Sequence, residues 1–332
     1  MLSAKTEIIA SVSSIDLSAD GTKLLSLSRG GPHLCGSVVL HDLSKASASR
    51  LFEIATFPYD MVLFAELAPD GLHALVGTGH GRLTWYDLTS SETSLLADLG
   101  RSAAIMFTRT AISRDSQCVA AAQFSTKHVD VNKIRIFHPM SVRSNDVVLH
   151  LPKGISNCSL HFSNDGRQLL SGNSDGSISI WDVDSGCIVN ELPGHDGRVV
   201  AAHFVGDGTT VISGGTDQSI RIWQLPGGRE VWRGQSEIGM VGAMAVSDDG
   251  RCAAWGGWGQ KVIIWDLGRQ RKRCEILSSA REVRDLQFSP GGQSLAVARA
   301  STAIRFYDAT TGSEQRIVDV RRGDGDQSEG SE

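Results

Sequence analysis

No stretch of this chain is long and apolar enough to cross a membrane as a helix. Its uncharged apolar runs stay far short of the ~18 residues such a span needs. The opening residues, Met1-Leu-Ser-Ala-Lys-Thr-Glu, lack the apolar core and small-residue cleavage pattern of a secretory leader, so no leader is expected. Neither sign of charge dominates. With 32 Lys and Arg against 37 Asp and Glu, the formal net charge is −5, which gives no global attraction to nucleic acid or an anionic membrane. The cysteines Cys35, Cys118, Cys158, Cys187, Cys252 and Cys274 form no CxxC pair. Reduced, mostly buried thiols are therefore expected, in the cytoplasm, with the nucleus as the alternative. There is no GxGxxG, no Walker loop and no HExxH. No cofactor and no metal site is expected, and no pair of catalytic carboxylates can be argued.

What the chain does have is repetition. An aromatic or histidine anchor recurs at His41, Tyr86, Phe137, Trp181, Trp223, Trp265 and Tyr307. The last four follow one another at intervals of 42 residues. A tight-turn pair sits 16 residues before most anchors: Asp70-Gly71, Asp165-Gly166, Asp207-Gly208 and Asp249-Gly250, with Gly291-Gly292 in the same place before Tyr307. A period in the low forties marks a propeller of repeated four-stranded blades. In residues 195–234, Val199 to Phe204 reads as an inner strand and Gly206-Asp207-Gly208 turns it. Thr209 to Ser213 is a second strand, and Gly214 to Gln218 a hairpin. Ser219-Ile220-Arg221-Ile222-Trp223 alternates with period two as a third strand, and Arg229 to Arg233 makes a fourth. Such a sheet is apolar on both faces, so neighbouring blades must cover it, and a closed ring leaves none uncovered. The expectation is an all-β, seven-bladed β-propeller of antiparallel four-stranded blades. Residues 1–320 are read as one domain and the polar residues 321–332 as a loose tail.

One blade carries more than the pattern. The segment His195…Ser213…Asp217…Trp223 resembles the buried hydrogen-bonded tetrad of the WD-repeat family, with Gly194 before the histidine as that family has it. Trp has one N–H to give, Ser one hydroxyl, and His can both donate and accept, so the carboxylate ends a fully partnered chain. Gln224 stands where the family has Asp, whereas Trp181-Asp182, Trp265-Asp266 and Tyr307-Asp308 keep it. The blade ending at Trp181 keeps Ser171 and Asp175 without a histidine. In the blade ending at Trp265, Trp255 takes the Ser place and Gly259 the Asp place. The remaining blades are read as having lost the network. Many WD-repeat rings share one blade between their two ends, but Ser313 to Val320 already supplies a fourth strand after Tyr307 and residues 1–6 are poor strand sequence. Seven in-phase blades are therefore expected, with no shared blade.

Two blades stretch the 16-residue interval, from Asp20 to His41 and from Asp115 to Phe137. The extra residues, 29–36 and 123–130, fall between second and third strands, on the face that also carries the blade-to-blade links. Loops on a rigid scaffold are common carriers of function, although neutral drift would insert residues there too. The candidate binding residues of that face are Arg29, His33, Tyr59, His80, Arg109, Lys127, His128, Arg198, Trp258 and Arg281. Trp258 stands out because its Gly-Gly-Trp-Gly turn gives a large ring little local reason to be there, and exposed Trp and Arg are frequent hot spots.

Other motifs explain less. Gly172-Asn-Ser174-Asp-Gly176 fits a nucleophile elbow, yet it lies in a β-hairpin rather than at a strand-to-helix turn. Asp16, Glu66, His161, His203 and Gln287, with Ala111 and Ala245, occupy equivalent places on inner strands. Opposite sides of a seven-bladed channel stand too far apart for one ion, so polar packing between blades is the plainer reading, with His161 and His203 nearest one another. Arg269-Gln-Arg271-Lys272-Arg273 falls on the opposite face, where a solvated loop is plainer than an acidic or nucleic-acid contact. Asn157-Cys-Ser159 and Arg322-Gly-Asp324 fit a glycosylation acceptor and an adhesion tripeptide, and neither counts without a secretory route. WD-repeat resemblance implies a non-enzymatic platform for a protein or peptide partner, in a multi-subunit complex, without direct nucleic-acid or membrane contact. The alternatives are a lactonase-like propeller enzyme with a site at the channel mouth, and a structural subunit of a larger assembly.

Overall fold

The computed structural model describes residues 11–29, 37–44, 49–54, 62–100, 105–125, 132–141, 146–277 and 282–320, leaving aside the side chains of 29 and 49–54. The described strands form seven four-stranded sheets, each with its strands in chain order and antiparallel to their neighbours. Helix is confined, among the described residues, to one 3-10 turn, Pro290–Gly292. The blades are in phase. Numbered in chain order, blades 1 to 7 run Ser11–Ile54, Val62–Asp98, Ile105–His150, Asn157–Leu192, Val199–Gln235, Val241–Leu277 and Val283–Asp319, each from its inner to its outer strand. Residues 1–10 and 321–332 lie outside the described residues, as do the centres of both insertions.

The anchors fall on one position of the repeat. Each lies on a third strand opposite the second strand: His41 faces Leu24, Tyr86 faces Ala74, and Phe137 faces Val119. Trp181, Trp223, Trp265 and Tyr307 face Leu169, Val211, Ala253 and Leu295. The Asp of the first turn has a local task. In six blades Asp20, Asp70, Asp115, Asp165, Asp207 and Asp249 each accept the N–H two residues on, closing an Asx turn.

The core is divided. Among the described residues there are seven apolar clusters, and each lies between two neighbouring blades, as the two-faced sheets require. The seam that closes the ring is built like the others: Val12, Ile15, Leu17 and Leu24 of blade 1 pack on Ala296, Ile304, Phe306 and Val318 of blade 7. At roughly 1.5–3 kcal/mol for each large apolar side chain fully buried, this packing dominates the closure. Polar contacts fix its register. Val12 N–H donates to Ser301 O (2.9 Å), and the Arg316 guanidinium donates to Leu43 O (2.9 Å).

The five described cysteines are free thiols. Cys158 and Cys252 are buried and Cys118 and Cys274 half-buried, but Cys187 is exposed. It sits in the turn before an outer strand, where no blade covers it.

Candidate functional site

Blade 5 contains the tetrad. Trp223 Nε1 donates to Ser213 Oγ (2.8 Å), Ser213 Oγ meets His195 Nε2 (2.8 Å), and His195 Nδ1 meets Asp217 Oδ1 (2.9 Å). Donors and acceptors balance when the imidazole is neutral with its proton on Nδ1. Burial lowers the His195 pKa, against the pull of Asp217. Burial also opposes the charge of Asp217, but hydrogen bonds from His195 and the Ser219 N–H outweigh it and hold that carboxyl well below its usual range. Sequence reasoning missed two members of the network, Ser219, whose Oγ contacts His195 Nδ1 (3.0 Å) and donates to Asp217 Oδ2 (2.9 Å), and Arg221. Arg221 is buried and donates to Ser219 Oγ (3.1 Å), Asp217 Oδ2 (2.9 Å) and Gly194 O. Its place between two apolar residues of a buried third strand was the available sign. Gly194 has φ +71°, and a Cβ there would stand 1.6 Å from Gly176 O, so only glycine fits before the histidine.

Parts of the tetrad persist elsewhere. In blade 4 Trp181 Nε1 donates to Ser171 Oγ (2.9 Å). Blade 1 corrects the reading that the remaining blades have lost the network: His41 Nε2 meets Ser26 Oγ (3.0 Å), in register with the Trp–Ser contact of blades 4 and 5. Imidazole offers a ring nitrogen in place of the indole N–H, and sequence inspection for tryptophan overlooks it. In blade 6 Trp255 Nε1 instead donates to Ser236 O (2.8 Å), and Trp232, Trp265 and Trp255 form a run of rings at 5.0 and 5.8 Å.

The channel residues do line a common hollow, of about 330 Å³. Together with Asp285 and Arg109, which stand beside the hollow, they work mainly as ties between successive inner strands. Asp285 Oδ2 accepts Ile15 N–H (2.9 Å) across the closing seam, and Asp16 Oδ2 accepts Leu67 N–H (2.9 Å). Glu66 accepts the Thr110 hydroxyl, and Arg109 Nε donates to Cys158 O (2.8 Å). Phe204 N–H donates to His161 Nδ1 (3.4 Å), and His203 bonds the Met244 backbone. Only alanines, Ala243 and Ala245, stand at these places in blade 6. Burial is the first cause of every shift here. It raises Glu66 to about 7 and Asp285 to about 6, and raises Asp16 as well. It lowers His161 to about 3 and His203 to about 4. The two histidines do meet, with ring centroids 4.7 Å apart. Among the described residues no group of three or more His, Cys, Asp or Glu is arranged to hold a metal.

Of the ten candidate binding residues, His33, Tyr59, Lys127, His128 and Arg281 lie outside the described residues, as does the side chain of Arg29. His80 is half-buried in the hairpin before the third strand of blade 2. Arg109 and Arg198 are exposed and come together at Cys158 from two sides. Arg109 holds its carbonyl, and Arg198 Nη2 contacts its Sγ (3.3 Å). Neither guanidinium forms an ion pair among the described residues. Trp258 is 71% exposed. Met240, just before the inner strand Val241–Val246, and Leu277, paired with Lys261, are exposed at the same end of blade 6. Sequence reasoning missed both, since exposed apolar residues at strand ends look like core until burial is known.

The family model of the WD domain, G-beta repeat, matches residues 148–182 and 186–224. The first match runs from the outer strand of blade 3 through the third strand of blade 4 and the second from the outer strand of blade 4 through the third strand of blade 5, so each ends on a third strand whose Trp donates to Ser. No curated protein matches the chain.

Proposed function

We propose that this chain, which belongs to the WD-repeat β-propeller family, is a non-enzymatic platform that grips a protein or peptide partner with the face bearing the blade links. Propellers of this family are generally protein-interaction scaffolds. The observation that carries the reading is the pair Arg109 and Arg198, both held on Cys158 with no ion-pair partner among the described residues. A cation already held in place loses little side-chain entropy when a ligand arrives. Trp258, Met240 and Leu277 add an exposed apolar anchor on the same face. The proposal sets the ring in the cytoplasm, or the nucleus, within a larger complex.

The channel supports a second reading, a propeller enzyme. Convergent acids and histidines with shifted pKa values, such as Asp16, Glu66, His161 and His203, are what such a site would show. The platform is preferred because those same groups are engaged in ties between blades. A thermal-shift screen against small metabolites and metal ions separates the two: a specific, saturable shift abolished by Glu66→Gln favours the enzyme.

Affinity capture tests the platform. Trp258→Ala and Arg198→Ala should lose the captured partner without lowering the melting temperature. His195→Ala should lower it and keep the partner in whatever remains folded. Equal loss of stability from Trp258→Ala and His195→Ala would overturn the assignment of Trp258 to the binding face. Size-exclusion chromatography of native extract shows whether the ring ever runs alone, which an obligate structural subunit would not.

A further inference from the structure

We propose that the seam between blades 6 and 7, on the face opposite the blade links, is a binding site for a small polyphosphorylated anion. The basic run Arg269 to Arg273 is not a free loop. With the first turn of blade 6 and both turns of blade 7 it walls a hollow of about 1230 Å³. Five cations border the hollow, against the carboxylates Asp249, Asp266 and Asp308.

The two sets of charges have different origins. Asp249, Asp266 and Asp308 are turn residues of the repeat, with counterparts in most blades. Each accepts hydrogen bonds inside its own turn: Asp249 from Ser247 Oγ and Arg251 N–H, Asp266 from Arg269 N–H, Asp308 from Thr310 and Thr311 N–H. The cations are what this seam adds. Two are already matched, Arg269 by Asp266 (2.9 Å) and Lys272 by Glu237 (2.8 Å). Arg251 reaches Asp249 only at 3.6 Å and is largely exposed. Arg271 and Arg273 make no ion pair among the described residues.

Arg273 is the most specific of these. The register of the third and fourth strands shifts between Ile264 and Trp265, and Arg273 is the residue left over in that bulge. Blades 1, 4, 5 and 7 bulge at the same place and put Leu51, Val189, Val231 and Gln315 there. A bulge re-aims its side chain, and here it sends a guanidinium across the seam. Its Nη1 contacts Cys252 Sγ (2.8 Å) and its Nη2 donates to Thr310 Oγ1 (2.8 Å). Burial raises the Cys252 pKa, so that partner is a neutral thiol, and Arg273 is fixed in place with Asp266 and Asp308 acting on its charge only from beyond ion-pair distance. Guanidinium forks from the first turn (Arg251) and the fourth strand (Arg271, Arg273) suit an anion that presents oxygens in several directions. A tetrahedral phosphate does so and a planar carboxylate does not. The hollow has room for several phosphates, which is why one phosphate alone is not the ligand proposed.

The probe is inorganic tripolyphosphate, titrated calorimetrically into the full chain at low and at physiological salt, with citrate and a single-stranded oligonucleotide as comparison ligands. Saturable binding is expected, weakening as salt screens it, with citrate much weaker. Arg271→Ala/Arg273→Ala should weaken it at least about tenfold, as loss of charge-assisted hydrogen bonds does, while Arg109→Ala/Arg198→Ala leaves it unchanged. Circular dichroism and the melting temperature verify that the double variant is folded, and Arg273→Gln alone serves if it is not. The proposal is overturned by absence of binding at low salt, by equal affinity in the seam variants, by citrate binding as tightly, or by binding confined to the oligonucleotide.

Discussion

Replacing Glu66 by Gln should stabilise the ring at alkaline pH and change it little in mild acid. The folded ring keeps Glu66 protonated up to about 7, against 4.5 for a free glutamate. Burial is the chief cause. The Thr110 hydroxyl and Arg109 pull the other way, and Asp285 adds to the rise. Between those two values the unfolded chain gives up a proton that the fold retains, so stability falls as the pH climbs through the interval. At about 1.4 kcal/mol per pKa unit, the whole interval is worth about 3 kcal/mol. That is an upper bound, because Glu66 lines a hollow with room for water. Glutamine keeps the shape and still accepts the Thr110 hydroxyl, with no charge to desolvate. His161 and His203 act in the opposite sense. Their folded values of about 3 and about 4 lie below the ordinary 6.5, so the stability they contribute is lost as the pH falls below that range. Most of the change falls between about pH 4.5 and about pH 7, and the difference between Glu66→Gln and wild type isolates it, because the histidines and Asp285 are common to both. Melting temperatures recorded from about pH 5 to about pH 8 should show the lead of the variant growing through that interval and levelling off above it. The variant should lead by up to about 6 °C at the alkaline end. Identical slopes, or a variant less stable than wild type at the alkaline end, would refute the assignment of a desolvated acid to this position.

Three further outcomes follow from the blade networks. His195→Ala should cost about 1–3 kcal/mol in urea unfolding, since it strands buried partners on both sides, and Ser213→Ala on top of it should cost much less than it does alone. Gly194→Ala should lower the melting temperature by more than an ordinary surface change, because the new Cβ meets the Gly176 carbonyl at 1.6 Å. Ser26→Ala should cost roughly 0.5–1.5 kcal/mol by removing the hydroxyl that His41 uses. No cost there would mean that blade 1 does not use its histidine as the other blades use tryptophan.

The repeat was legible because it is local. Asp-Gly pairs and anchors mark turns and third strands within a few residues, and a strict period multiplies each weak signal, so blade number and boundaries could be read directly. The tetrad was legible for the same reason, since His195, Ser213, Asp217 and Trp223 all belong to one repeat. The Ser26–His41 contact was missed although it is equally local, because the pattern was sought by residue type rather than by the ability to share a proton. Arg221 was missed because an arginine in a strand is normally assigned to solvent.

The linear chain determined that there would be seven like sheets, strands in order, and a join made without a shared blade, because each of these follows from spacing and from which residues suit strands and turns. Tertiary structure alone decided what lies across a seam. That Asp285 ties blade 7 to blade 1, that Arg109 and Arg198 meet on Cys158, and that a bulge aims Arg273 at Thr310 are contacts between repeats, some spanning nearly the whole chain. No local periodicity encodes them. They exist only once the ring has closed and burial has set which charges are matched and which stand ready for a ligand.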